Sequence, residues 1–268
     1  MYLAIIFFTI LILSLIYMHF EVRNIKIERI FFSKKNEYLK ILQLSDIHID
    51  MLFVSVKKIV DVLNFERPDL IIITGDFIRK PLQAEQFFDF LSEIRGNFNI
   101  CLCLGNHDFD AFHDNQEGLT GFIKNIKALG IEVLDNKSIS VTKNTKKYNI
   151  IGISDLLKGN PDVEEALKIC DDNTSINIAF SHNPDIIFDI HNNKIMYLFC
   201  GHYHGGQIWT PFGLEYKYIE EGRLYKMGIK RGLHLVNGIN LYINRGLGNE
   251  KLPFRFLSRP EITVFYIP

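Results

Sequence analysis

An α/β fold of two β-sheets with helices on their outer faces, behind an apolar N-terminal helix, is what this sequence predicts. Three observations carry the prediction. From Leu39 onward, short continuous apolar runs alternate with apolar stripes at helical spacing. After Gly130 the rhythm changes to closely spaced short runs separated by turn residues. Ahead of both, residues 3–20 are almost wholly apolar.

The N-terminal run is broken only by Thr9, Ser14 and His19. At 1.5 Å per residue its ~18 residues make roughly 27 Å of helix, just enough to cross a hydrocarbon core. No basic residue precedes Leu3, no Ala-x-Ala follows, and there is no twin arginine. Residues 1–20 therefore read as an uncleaved transmembrane anchor rather than a signal peptide. Residues 21–37 read as a basic juxtamembrane segment: Arg23, Lys26, Arg29, Lys34 and Lys35 follow the anchor closely, with Lys40 just beyond. The positive-inside rule then predicts a single-pass inner-membrane protein with the rest of the chain facing the cytoplasm. The same cations either fix topology alone or also touch anionic head groups.

In the remaining chain, Leu39–Leu44 predicts a first strand. Val56, Ile59, Val60 and Leu63 predict a helix closed by Pro68, and Leu70–Ile73 a strand buried on both faces. Ala84, Phe87, Phe88 and Leu91 give the next helix, Asn99–Leu104 a strand, and Leu119, Phe122, Ile123 and Ile126 a third helix. Short strands follow at Ile131–Leu134, Ile139–Thr142 and Tyr148–Ile153, with a short helix around Val163–Leu167. Ile176–Phe180, Ile195–Phe199, Leu233–Val236, Ile239–Ile243 and Ile262–Ile267 complete the set. With no repeat or internal linker, residues 38–268 read as one domain.

Composition excludes several classes. A net charge of −1 supplies no general field for nucleic acid. The four cysteines include no Cys-x-x-Cys pair, which argues against a zinc knuckle or redox couple and favours a reducing compartment. Cys101 and Cys103, two apart in a strand-like run, share one face as buried thiols.

Polar clusters follow the apolar strands one after another. Asp46 and His48 follow the first, Gly75-Asp76 the second, and Asn106, His107 and Asp108 the third. His182 follows Ile176–Phe180, and His202 and His204 follow Ile195–Phe199. In layered α/β folds the carboxyl ends of strands form the site, so these residues are expected to converge. Oxygen and imidazole donors in this mixture suit two divalent cations, Mn first, with Fe, Zn or Co as alternatives. Asp-x-His and His-x-His put two donors on one side of an extended segment. Glycines at 75, 105 and 201 are expected to turn the chain sharply just before them.

Asp46-x-His48, Gly75-Asp76, Gly105-Asn106-His107-Asp108, His182 and Gly201-His202-x-His204 resemble, in order, the motifs of the calcineurin-like metallophosphoesterases. Gly205-Gly206-Gln207-Ile208, Arg245-Gly246-Leu247-Gly248 and Phe254–Glu261 are similar to the bacterial YkuE/YaeI-like branch. The resemblance implies an αββα sandwich of two mixed sheets, a bimetal centre, and a hydroxide shared by the metals attacking phosphorus in line. It implies one metal on Asp46, His48 and His204, a second on Asn106, His182 and His202, and Asp76 bridging. It implies that His107 protonates or stabilises the leaving oxygen and that Asp108 hydrogen-bonds His107. Two departures stand out: Tyr203 where the branch has Thr, and Asn249-Glu250 where small hydroxyl residues are common.

Between Gln207 and Arg231 lie Trp209, Phe212, Leu214, Tyr216, Tyr218, Tyr225 and Met227, interleaved with Lys217, Arg223, Lys226, Lys230 and Arg231. Such a segment either grips a lipid tail and a phosphate together or packs its aromatics on the core with a solvated basic edge. Arg245 is the arginine expected to contact phosphate. The resemblance and the anchor imply a phosphoester substrate that is lipid-linked, with UDP-2,3-diacylglucosamine of lipid A synthesis the leading example. Phosphodiester or phosphomonoester hydrolysis on soluble nucleotides is the alternative. A metal-free scaffold would have eroded donors, and here the set is complete.

Overall fold

The computed structural model describes residues 2–32, 38–170, 174–191, 194–209 and 222–268. The chain runs α1 (Tyr2–Glu21), β1 (Lys26–Phe31), β2 (Leu39–Ser45), α2 (Val56–Glu66), β3 (Leu70–Thr74), α3 (Ala84–Arg95), β4 (Ile100–Cys103), α4 (Asn106–Ala111), α5 (Gln116–Ala128) and β5 (Glu132–Val133). It continues as β6 (Lys137–Lys143), β7 (Lys146–Gly152), α6 (Val163–Ala166), β8 (Ile176–Phe180), β9 (Tyr197–Cys200), α7 (Arg223–Lys226), β10 (Gly232–Val236), β11 (Ile239–Ile243) and β12 (Glu261–Ile267).

Two mixed sheets result, ordered β1-β12-β2-β3-β4-β5 and β10-β11-β9-β8-β7-β6. In the first, β2, β3, β4 and β5 are parallel, while β12 lies antiparallel to β2. In the second, β7, β8, β9 and β11 are parallel, with β6 and β10 as antiparallel edges.

The two-residue period of the strands sorts their side chains into three cores. Leu39 and Ile41, Leu70 and Ile72, and Cys101 and Cys103 face the second sheet, where Ile150, Ile178, Phe180 and Phe199 meet them. Leu42 and Leu44, Ile71 and Ile73, and Ile100 and Leu102 face outward onto Ile59, Leu63, Phe87, Leu91 and Phe122 of the helices. Ile151, Ala179, Leu198 and Leu241 line the opposite outer face under Ala166, Ile186 and Leu224. This is the expected αββα sandwich. Phe199 stacks on Phe265 across the sheets, with 3.9 Å between ring centroids. The strands fall within about two residues of the bounds that periodicity set, and the longer helices extend up to four residues beyond their apolar stripes.

One element departs from the expectation. The basic juxtamembrane segment contains β1, a strand that periodicity did not predict, which pairs in parallel with β12 from Lys26↔Glu261 to Phe31↔Tyr266. Its sequence, Lys-Ile-Glu-Arg-Ile-Phe, lacks strict alternation because an edge strand is only half covered. Its basic residues are paired with acids: Arg29 meets Glu66 of α2, which also takes Lys40 of β2, and Lys26 pairs with Glu28 within β1. Lys34 and Lys35 lie outside the described residues, as do Phe212, Leu214, Tyr216, Lys217 and Tyr218 of the aromatic segment.

α1 is exposed along most of its length, half-buried at Ser14 and Met18 and buried at Glu21, and is apolar on every face, with mean hydropathy 2.4. It is long and apolar enough to cross a membrane.

Candidate metal centre

The carboxyl ends of β2, β3, β4, β8 and β9 deliver their donors to one place. Asp46, His48, Asp76, Asn106, His182, His202 and His204 are all buried there, across more than half the chain's length. Ligand atoms of Asp46, His48 and His204 lie within 4.8 Å of one another, and so do those of Asp76, His182 and His202. His48 Nε2 and His204 Nε2 are 3.2 Å apart, as are His202 Nδ1 and His182 Nε2. Asp76 Oδ2 stands between the sets, 3.0 Å from His182 Nε2 and 3.7 Å from His48 Nε2. Asn106 Oδ1 is buried with no hydrogen-bond partner. Facing ring nitrogens, carboxylates and an orphaned amide oxygen leave lone pairs directed at common points, and divalent cations satisfy them. The residues present fit two metals.

The backbone is bent to achieve this. Asp46, His48, Asp76, His202 and His204 have φ of 48°, 39°, 56°, 74° and 47°. A non-glycine residue held left-handed costs on the order of 1–3 kcal/mol, and such residues concentrate at functional sites. The flanking glycines work differently from the expectation of three sharp turns. Gly75 has φ 65°, but Gly105 is extended (φ −104°) and Gly201 is absent from the positive-φ glycines. They are needed for space: a Cβ at Gly105 would meet Asp76 Oδ1 at 2.3 Å, and one at Gly201 would meet Asp46 Oδ2 at 2.2 Å.

Neighbouring polar groups fix the donors. Asp46 accepts from Ser45 Oγ and from the His202 backbone N–H. His182 directs Nδ1 at the Thr74 carbonyl, 3.0 Å away, which leaves Nε2 facing the centre. Asp76 Oδ1 accepts from the His107 backbone N–H. Burial pulls His202 down to about 3 and holds His48 and His204 well below the ordinary histidine range, so these rings are neutral. Burial opposes charge on Asp76 and His182 too, but their mutual attraction wins: Asp76 is held well below and His182 well above its usual value. Burial lifts Asp46 to about 6, against the pull of His182.

Asp76, Asn106, His107, Leu157, His202, His204 and Glu250 line a solvent-open cleft of about 540 Å³. His107, half-buried, sits in its wall with its ring centroid 5.4 Å from that of His48. An apolar annex adjoins the cleft, lined by Tyr203, Ile208 and Leu252 next to His202 and His204.

Asp108 does not take its expected place beside the His107 ring. Its Oδ1 accepts from the Phe77 and Ile78 backbone N–H groups and its Oδ2 from that of Gly105. The start of α4 explains this: Asp108 is the third residue of the helix and folds back onto the N-cap. Burial lifts its carboxyl to about 7 against those three donors. Arg245 also departs from expectation. Its Nε lies 3.1 Å from Glu261 Oε2 and its Nη2 3.7 Å from Glu28 Oε1, and it is absent from the cleft lining.

Arg255 is the arginine at the centre, fully buried. It donates to the Arg245, Gly246, Gly248 and Ser258 carbonyls and to Asn249 Oδ1, with Nη2 3.4 Å from His204 Nδ1. It braces the Arg245–Asn249 loop against His204. Burial lowers it to about 10, so it keeps its charge at neutral pH. Tyr203, the departure between the two histidines, donates to Asp185 Oδ1, which also accepts from the Leu224 N–H.

Sequence reasoning missed Asp155, Leu157 and Arg255, and registered Glu250 only as a departure. Asp155 was within reach, because Ser154-Asp155 follows the Tyr148–Ile153 run as the other polar clusters follow theirs. It is buried, with Oδ1 unpartnered and Oδ2 accepting from the Leu157 and Lys158 N–H groups.

The model of the calcineurin-like phosphoesterase domain matches residues 39–206, a span that holds every donor described above. The chain belongs to the calcineurin-like phosphoesterase family. It is 32% identical over 233 residues to the metallophosphoesterase YkuE of Bacillus subtilis, covering 84% of this chain and 78% of the relative. It is 28% identical to the phosphodiesterase YaeI of Escherichia coli, covering 87% and 84%. It is 27% identical to the UDP-2,3-diacylglucosamine pyrophosphatase LpxG of Chlamydia trachomatis, covering 84% and 82%. Among solved structures, a dimetal phosphatase from Danio rerio shares the fold, with a TM-score of 0.50 at 10% identity over 87% of this chain and 100% of that one. This metallophosphoesterase is therefore a phosphoester hydrolase with two Asp/His clusters for metal.

Proposed function

We propose that this metallophosphoesterase hydrolyses a phosphoester or pyrophosphate bond in a membrane-resident substrate of the kind represented by UDP-2,3-diacylglucosamine. Asp46, His48 and His204 would hold one divalent cation and Asn106, His182 and His202 the other, with the Asp76 carboxylate placed between the two sets. Oxygen and imidazole donors suit Mn first, then Fe, Zn or Co. Such a pair lowers the pKa of water and neutralises phosphate oxygens.

The chain's own groups do the rest. His107 holds a proton at the cleft wall for the leaving oxygen. Its backbone N–H ties it to Asp76, so the proton donor and the bridging carboxylate keep a fixed separation. Asp108 secures the backbone on both sides of Asp76 through Phe77, Ile78 and Gly105. Arg255 steadies His204 from behind.

The observation that carries the reading is the pair of buried donor sets with Asp76 lying between them, opening into one cleft. Support for a membrane-resident substrate comes from α1, from the apolar annex beside the two histidines and from the similarity to LpxG. The apolar α1 favours an inner-membrane protein, and the basic residues Arg23, Lys26 and Arg29 that follow it favour a catalytic domain in the cytoplasm. Similarity to a phosphodiesterase, YaeI, favours a second reading, in which the substrate is a soluble phosphodiester or phosphomonoester.

A substrate panel on the Mn-loaded full-length protein separates the two. The expected outcome is a higher kcat/KM for detergent-dispersed UDP-2,3-diacylglucosamine than for bis-p-nitrophenyl phosphate or cyclic nucleotides. Equal or better turnover of the soluble compounds replaces the first reading with the second.

A further inference from the structure

We infer that the face at the base of α1 rests on the surface of an anionic lipid bilayer and holds the apolar side of the metal cleft beside the lipid. This rests on the reading of α1 as a membrane span and adds the orientation of the domain beneath it.

The join between helix and domain is tied at several points. Only four residues, Val22 to Ile25, separate α1 from β1. Glu21 is buried, and its Oε2 accepts from the Leu257 N–H at 2.9 Å. Tyr17 packs edge-on against Phe256, with 5.7 Å between centroids. Arg259 donates to the Asn24 and Ile25 carbonyls and to Asn24 Oδ1. The Lys26 N–H bonds the Pro260 carbonyl at 2.7 Å. An anchor on a loose tether would leave the domain free to tumble; this one fixes which face meets the membrane.

The segment that receives the helix also walls the cleft. Gln207 Nε2 donates to the Leu252 and Phe254 carbonyls, and Ile208 bridges to Phe256. Ile208 and Leu252 line the annex beside His202 and His204. On this side Phe20, Leu252 and Leu257 expose 68%, 51% and 50% of their surface. Basic side chains border them: Arg23 at the end of the helix, Lys251 beside Leu252, Arg231 on the Leu257 carbonyl, and Arg259. Of the neighbouring acids, Glu21 is buried and Glu250 lies 3.4 Å from Lys251. Apolar side chains ringed by cations at the foot of an apolar helix match the boundary between acyl chains and anionic head groups. A bilayer holding α1 already lies against this face, which makes lipid the occupant.

The test uses the full chain in phosphatidylcholine/phosphatidylglycerol vesicles that contain spin-labelled quencher lipid. Because the four native cysteines are buried, a fluorophore goes selectively to one introduced at Leu257→Cys, Leu252→Cys, Leu11→Cys or Ile169→Cys. Ile169 is exposed near Glu132 and Lys137, at the β5 and β6 edges, the opposite end of the first sheet from β1. Quenching of the labels at 257 and 252 approaching that at 11, with full emission kept at 169, is the expected result. Strong quenching at 11 with none at 257 or 252 overturns this inference and leaves the anchor standing. No quenching at 11 overturns both the anchor and the inference. Emission at 257 that ignores quencher lipid but shifts with protein concentration assigns the face to a second copy of the chain, and overturns the inference too.

Discussion

His107 and Asp108 are adjacent in the chain and part ways in the structure. His107 reaches the cleft, while Asp108 turns back to clamp three backbone N–H groups. Different consequences follow from replacing each. His107→Asn should lower kcat by about 10²–10⁴-fold, the usual contribution of a general acid, while metal analysis still finds two ions per chain. Asp76→Asn should lose bound metal as well as activity, because it removes charge from the carboxylate between the donor sets. Full activity in either variant sinks the assignment. Asp108→Asn exchanges one acceptor oxygen for a donor facing backbone N–H groups, at a cost of about 1–3 kcal/mol. Its melting temperature and kcat should therefore fall together. A fall in kcat at unchanged stability would return Asp108 to a direct role at His107. The sequence marked both residues as functional but not the direction of either side chain. That direction depends on α4 starting at Asn106, a helix too short to leave a periodic trace.

Among the elements, strands with continuous apolar runs were legible because burial on both faces leaves little other choice of residue. β3 is Leu-Ile-Ile-Ile-Thr, buried throughout. β1 was not legible, because its partner β12 lies more than 200 residues away and its exposed side tolerates charge. What holds β1 to its neighbours includes an ion cluster, in which Arg29 of β1 and Lys40 of β2 meet Glu66 at the end of α2. Burial works against a charged Glu66, but hydrogen bonds from Lys40 and Arg29 outweigh it and hold the carboxyl below its ordinary value. The sign follows from that direction. The stabilisation is present above the unfolded-state pKa of about 4.3 and is lost as pH falls through the lower folded-state value. Glu66→Gln should thus lower denaturant stability at pH 7 and converge on the parent protein in acid. A deficit that stays constant down to pH 2 would assign the effect to packing instead of charge.

For the whole molecule, the site was easier to read than the arrangement that supports it. Seven donors at strand ends announce themselves in a sequence, because the same polar residues have no use in a core. Arg255 does not, since its importance lies in which carbonyls it reaches, and those belong to a loop whose path only the packed fold defines. The topology of the proposed membrane anchor raises the opposite question, because it turns on the chain before it folds. Arg29, Lys40 and Lys26 are paired with acids in the finished domain, so a surface map alone would discount them. The positive-inside rule acts as the helix inserts, when those pairs do not yet exist and acidic residues contribute little. The cations within reach of the helix end therefore count in full. A reporter fused after Pro268 should behave as cytoplasmic, and replacing Arg23, Lys26, Arg29, Lys34 and Lys35 with Gln together should yield a mixed or inverted population. A periplasmic signal from the parent fusion would overturn the charge argument and with it the cytoplasmic placing of the substrate. Unchanged orientation in the five-fold variant would show that something other than these cations sets it.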